Sequence, residues 1–104
     1  MVQFFRKLFG IGPATDYAQL VKDGAIIVDV RSAEEFTGNH IVGSINIPVD
    51  ALASNLNKLK DKNKVIITCC ASGMRSAAAK GILKSNGYAT VFNGGGWSGL
   101  ERKL

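Results

Sequence analysis

The sequence predicts an α/β fold, a three-layer sandwich in which helices cover both faces of a mostly parallel sheet, and three observations carry the prediction. Ala25-Ile26-Ile27-Val28 and Val65-Ile66-Ile67-Thr68 are short apolar runs without polar alternation, as expected of strands covered on both faces. Stretches of helical period separate the strand-like runs, so the strands are joined by crossovers. Both runs end in chemistry-bearing residues, Asp29-Val30-Arg31 after the first and Cys69-Cys70 after the second. Ligands of open α/β sheets sit beyond the carboxyl ends of strands, so these two ends are expected to share one mouth.

In chain order, residues 1–14 make a short amphipathic segment in which Phe4, Phe5, Leu8 and Phe9 surround Arg6 and Lys7. So short a stretch offers little area to an anionic membrane, and docking on the protein's own surface or loose order is the expectation. One domain then runs from residue 15 to 104. Thr15 is a cap for a helix with Tyr17, Leu20 and Val21 on one face, and Gly24 suits the left-handed residue that ends it. Ser32 is a cap for the helix after Asp29-Val30-Arg31, with Arg31 and Glu35 spaced for an i, i+4 pair. Gly43 to Pro48 reads as a brief strand stopped by proline. From Asp50 a helix is expected to carry Leu52, Leu56 and Leu59 inward. After Val65 to Thr68, a second helix buries Ala79, Ile82 and Leu83 and stops at Asn86-Gly87. Thr90-Val91-Phe92 is the last strand, Asn93 to Gly96 a flexible corner, and Trp97, Leu100 and Leu104 one face of a terminal helix.

A chain of 104 residues, 46% of them hydrophobic, can bury one core and not two. No apolar run approaches the roughly 20 residues that span a bilayer. The first ten residues lack the apolar centre and cleavage site of a signal peptide, so the cytoplasm is the expected location. Two adjacent cysteines are no disulfide framework, and with one histidine they offer no metal-ligand set. No metal or other cofactor is expected. The net charge of +5 is concentrated in Lys58, Lys60, Lys62 and Lys64, a solvated face rather than a nucleic-acid site.

Cys70 stands where the second strand meets the following helix, in Ile66-Ile67-Thr68-Cys69-Cys70-Ala71-Ser72-Gly73-Met74-Arg75-Ser76. Loop amides and the positive end of the helix favour a thiolate there, which makes Cys70 the candidate nucleophile. Cys69, one residue earlier, should face the opposite side of the sheet and pack in the core. His40 beside Ile41 reads as a hydrogen-bonded structural histidine, and Trp97 as a core residue.

Together, Asp29-Val30-Arg31, Glu35-Phe36, His40-Ile41-Val42-Gly43-Ser44-Ile45-Asn46-Ile47-Pro48, Cys70 to Ser76 and Gly95-Gly96-Trp97 resemble a single-domain rhodanese, a sulfurtransferase, from about Thr15 to Leu100. The resemblance implies a five-stranded parallel sheet and a persulfide carried on Cys70, cradled by the loop Ala71, Ser72, Gly73, Met74, Arg75 and Ser76. Asp29 and Arg31 support that loop. Arg75 either attracts an anionic donor or steadies the loop through carbonyls or Asp29. The implied partners are a small anionic sulfur donor such as thiosulfate and a thiol or cyanide acceptor, with a protein acceptor open beside them. Two departures stand out. Asn39 replaces the glycine usual before the His-Ile pair, and Ala71 replaces the arginine that thiosulfate-preferring members often carry after the nucleophile. A phosphatase or arsenate reductase of the same fold needs a loop roomy enough for a tetrahedral oxyanion, and the related phosphatases set five residues between cysteine and arginine, where this chain has the four residues Ala71 to Met74. The shorter loop suits a single sulfur atom.

Overall fold

A computed structural model describes residues 14–104. The amphipathic segment expected at residues 1–14 therefore lies almost wholly outside the described residues. From there the order is α1 (Tyr17–Lys22), β1 (Ile26–Asp29), α2 (Ala33–Gly38), β2 (Ile45–Asn46), α3 (Val49–Leu52), a 3-10 turn (Leu56–Lys58), β3 (Ile66–Cys70), α4 (Met74–Ser85), β4 (Val91–Gly96) and α5 (Trp97–Glu101). All strand pairs are parallel and the sheet order is β2-β1-β3-β4. The described residues thus form four strands, not the five that the resemblance implied: residues 14–16 are irregular and run directly into α1.

Side chains of each strand alternate between two cores, as the pleat requires. Val28, Ile66, Cys70 and Val91 face Leu52, Leu59, Ala79 and Leu83 on one side of the sheet. Ile27, Ile67 and Cys69 face Leu100, with Tyr17, Leu20, Val21 and Trp97 packed around them, on the other. Helices therefore cover both faces, and the three-layer expectation holds. Because β1 leads outward to β2 while β3 leads the opposite way to β4, the carboxyl ends of β1 and β3 flank the point where the winding reverses. That reversal opens the crevice used by sheets of this kind.

Several local expectations are corrected. Asp16, not Thr15, caps α1, its carboxylate accepting from Gln19 N at 3.1 Å. The helix expected across Leu52, Leu56 and Leu59 breaks after Leu52 and resumes only as the 3-10 turn. All three leucines still reach the same core, so apolar spacing alone could not reveal the break. Leu104 is exposed rather than packed. Asn93 to Gly96 is not a flexible corner but the last four of the six residues of β4. There Thr68 pairs with Asn93 and Cys70 with Gly96, so β4 has one extra residue, a bulge. Gly95 adopts φ +79°, and a Cβ on Gly94 or Gly96 would lie 2.8 Å from the carbonyl oxygens of Thr68 and Ala71. The glycines let β4 come against the Cys70 loop at a distance no side chain permits.

Candidate active site

β3 delivers two cysteines to the switch point and the pleat separates them. Cys69 is fully buried against Ile27, Ile41, Ile67 and Leu100, and burial, with Asp29 as the next cause, pushes its thiol up to about 12. It is a packing residue, as expected. Cys70 lies on the other face under the loop, where its Sγ accepts backbone N–H groups from Gly73 at 2.9 Å and Ser76 at 3.3 Å. These are two of the loop amides expected to form the cradle. Gly73 makes the geometry accessible, because its φ of +107° turns the chain sharply from the loop into the 12-residue helix α4. The positive end of α4 is thereby aimed at the sulfur. Ala71, Ser72 and Met74 are exposed around it, and Met74 keeps 82% of its surface in solvent.

Asp29 and Arg31 hold the neighbouring strand end. The buried Asp29 carboxylate accepts from Arg31 Nη2 at 2.7 Å and from Nε at 3.0 Å, and the resulting attraction raises the guanidinium's affinity for its proton. Arg31 also donates to Asn39 O at 2.7 Å and lies 4.9 Å above the Trp97 ring. The i, i+4 side-chain pair expected between Arg31 and Glu35 does not form, since Arg31 reaches only the Glu35 backbone carbonyl, at 3.4 Å. Arg75 does not reach Asp29 either. Its two terminal nitrogens bind the Glu35 carboxylate at 2.7 and 3.0 Å, a bidentate bridge between α4 and α2. Glu35 is oriented for this by a capping box, its Oε1 accepting from Ser32 N–H at 3.1 Å while its own N–H donates to Ser32 Oγ at 3.2 Å. Arg75, then Ser32, hold the Glu35 carboxyl down at about 2 from an ordinary 4.5. A depressed carboxylate contributes stability above its unfolded value, so the bridge is intact above about pH 4.5 and is lost as pH falls toward about 2.

Thr68 and Asn93, which the sequence did not single out, complete the site through Ser76 of the loop. Ser76 turns its hydroxyl away from sulfur, donating to Asn93 Oδ1 at 2.6 Å and meeting Thr68 Oγ1 at 2.7 Å, while Asn93 Oδ1 also accepts from Gly95 N at 2.9 Å. This network locks the bulge of β4 to the turn that presents Ser76 N–H to Cys70. Its one sequence signal was Thr68, a hydroxyl inside an apolar strand that needs a buried partner. His40 has the structural role expected of it, its Nδ1 2.7 Å from Phe36 O and its ring stacked on Phe36 at 3.8 Å. Among the described residues, no group of His, Cys, Asp and Glu could hold a metal, and no helix is long and apolar enough to cross a membrane.

Comparison with known proteins gives this geometry its relatives. The sequence profile of the rhodanese-like domain matches residues 13–103. The chain is 37% identical over 89 residues to the uncharacterized protein YibN of Escherichia coli K12, covering 80% of this chain and 62% of YibN; it thus spans less than two thirds of that relative. It is 37% identical over 70 residues to the thiosulfate sulfurtransferase PspE of Escherichia coli K12, covering 66% of this chain and 67% of PspE. A solved structure described as a rhodanese with anions, from E. coli, superimposes with a TM-score of 0.69 at 34% identity, covering 73% of this chain and 91% of the other. With a profile match from residue 13 to 103 laid over a parallel sheet that ends in the Cys70 loop, the chain belongs to the rhodanese-like domain family.

Proposed function

We propose that this protein is a sulfurtransferase that moves a sulfane sulfur from a donor such as thiosulfate to a thiol or cyanide through a persulfide on Cys70. The observation that carries the reading is the Cys70 Sγ receiving the N–H groups of Gly73 and Ser76 at the start of α4. In the forward step the Cys70 thiolate attacks the outer sulfur of thiosulfate, the S–S bond of the donor breaks, and sulfite leaves with the bonding pair. The negative charge passes to the terminal persulfide sulfur, where the loop amides and the helix terminus oppose it. Cyanide or a thiolate then attacks that terminal sulfur and restores the Cys70 thiolate. No cofactor takes part, and a reducing compartment such as the cytoplasm suits a working thiol.

The test is intact-mass spectrometry after incubation with thiosulfate. One added sulfur atom is expected, removable by reductant or cyanide and mapping to Cys70; an adduct elsewhere, or none, would overturn the reading. A persulfide carrier serving a protein acceptor is a second reading, drawn from the exposed Met74 four residues after Cys70, an apolar side chain that a protein surface could cover.

The donor-side prediction rests on Ala71, whose exposed side chain stands beside the nucleophile. Two unit charges about 4 Å apart at an effective dielectric near 20 interact by about 4 kcal/mol before desolvation is subtracted. The wild-type protein is therefore expected to turn over thiosulfate with a high KM, and Ala71→Arg to lower that constant by roughly tenfold at low salt, fading as ionic strength rises. Steady-state kinetics with cyanide as acceptor measure both. A KM already in the low micromolar range, or one unmoved by Ala71→Arg, would show that other groups hold the dianion.

A further inference from the structure

The two arginines at the switch point are both matched by carboxylates: Arg31 by Asp29 in the interior, and Arg75 by Glu35 at the mouth, where both side chains are a little over one-third exposed. Arg75 belongs to the Cys70 loop, but the bidentate bridge occupies both of its terminal nitrogens. Glu35 comes from a helix 40 residues earlier and is preset by its capping box, so the bridge does not depend on a flexible side chain finding its partner. The residue after the nucleophile, Ala71, adds no charge. A thiosulfate dianion approaching an anionic sulfur thus meets an arginine already neutralised, whereas a donor of lower charge is repelled less.

We propose that Glu35 is a specificity-determining residue: by occupying Arg75 it disfavours dianionic sulfur donors and turns the site toward donors of lower charge, such as a persulfide on a small thiol. The inference rests on sulfur transfer through Cys70. Its action runs through Arg75, so Glu35 is a positioning residue rather than a catalytic one.

Glu35→Gln is the discriminating variant, because glutamine serves equally in a capping box and its amide oxygen still accepts from Arg75, while the charge is gone. Thiosulfate, a dianion, and methanethiosulfonate, a monoanion that transfers sulfur with loss of methanesulfinate, are the two probes, with cyanide as acceptor. Glu35→Gln is expected to lower the thiosulfate KM by roughly fivefold at low salt, with a smaller gain for methanethiosulfonate and with both gains fading as salt rises. The change should appear in KM rather than kcat, and it should vanish when Glu35→Gln is made in an Arg75→Gln background. A thiosulfate KM that is unchanged or raised while turnover persists would overturn the proposal, as would an equal gain without Arg75. Should Glu35→Gln fail to fold, the wild-type protein decides: a lower KM for the monoanion supports the proposal, and a lower KM for the dianion overturns it. Absence of turnover with both donors and of any sulfur on wild-type Cys70 would instead remove sulfur transfer itself, and this inference with it.

Discussion

Cys70→Ser is expected to abolish sulfur transfer, by at least about a thousandfold, with the fold intact. The substitution replaces one atom: a serine hydroxyl still fits beneath the loop and can accept the Gly73 and Ser76 amides, but it cannot carry a sulfane sulfur. Cys69→Ser is expected to retain most turnover, because Cys69 faces the opposite core. It should lose stability, since a hydroxyl placed among Ile27, Ile41, Ile67 and Leu100 finds no partner and costs about 1 to 3 kcal/mol. Cys69→Ala separates the two effects by removing the sulfur without adding a polar group. Activity assays paired with thermal melts read the outcome, and equal loss of turnover in folded Cys69→Ala and Cys70→Ser would contradict the division of labour between the two thiols.

The largest stability effect is expected at Asp29. Asp29→Asn preserves shape but leaves the Arg31 side chain, only 5% exposed, without its counter-charge. Removing one member of a buried pair costs about 3 to 5 kcal/mol. For a chain of this length that corresponds to a Tm lower by roughly 10 to 25 °C. Glu34→Gln, at an exposed position on the same stretch, should shift the melt hardly at all. Loss of Asp29 should also reduce turnover in the folded fraction, because Arg31 binds the carbonyl of Asn39 that ends α2, and α2 carries the Glu35 that grips the Cys70 loop. A Tm within about 2 °C of wild type, measured by differential scanning calorimetry, would show that the pair contributes little.

What the sequence determined by itself was whatever depends on near neighbours along the chain. The facing of Cys69 and Cys70 into different cores follows from the strand period of two, and the Ser32 cap and the helix stop at Asn86 from hydrogen bonds spanning a few residues. The loop was legible because its residues are consecutive, and the resemblance that placed Cys70 in it rested on fragments whose order and spacing can be read directly. The pairing of charges was not legible. Sequence spacing favoured Arg31 with Glu35, yet in the folded protein Arg31 turns inward to Asp29 and Glu35 reaches Arg75, 40 residues on. That exchange depends on β1 and β3 lying side by side with their carboxyl ends level, so that α2 and α4 start next to each other. The same holds for Asn93 to Gly96, whose glycines read as flexibility until the register set them against the carbonyls of Thr68 and Ala71. Local hydrogen bonds and side-chain period select helix, strand and loop within a few residues, but Coulomb attraction and steric contact act through space, and only the packed sheet sets those distances.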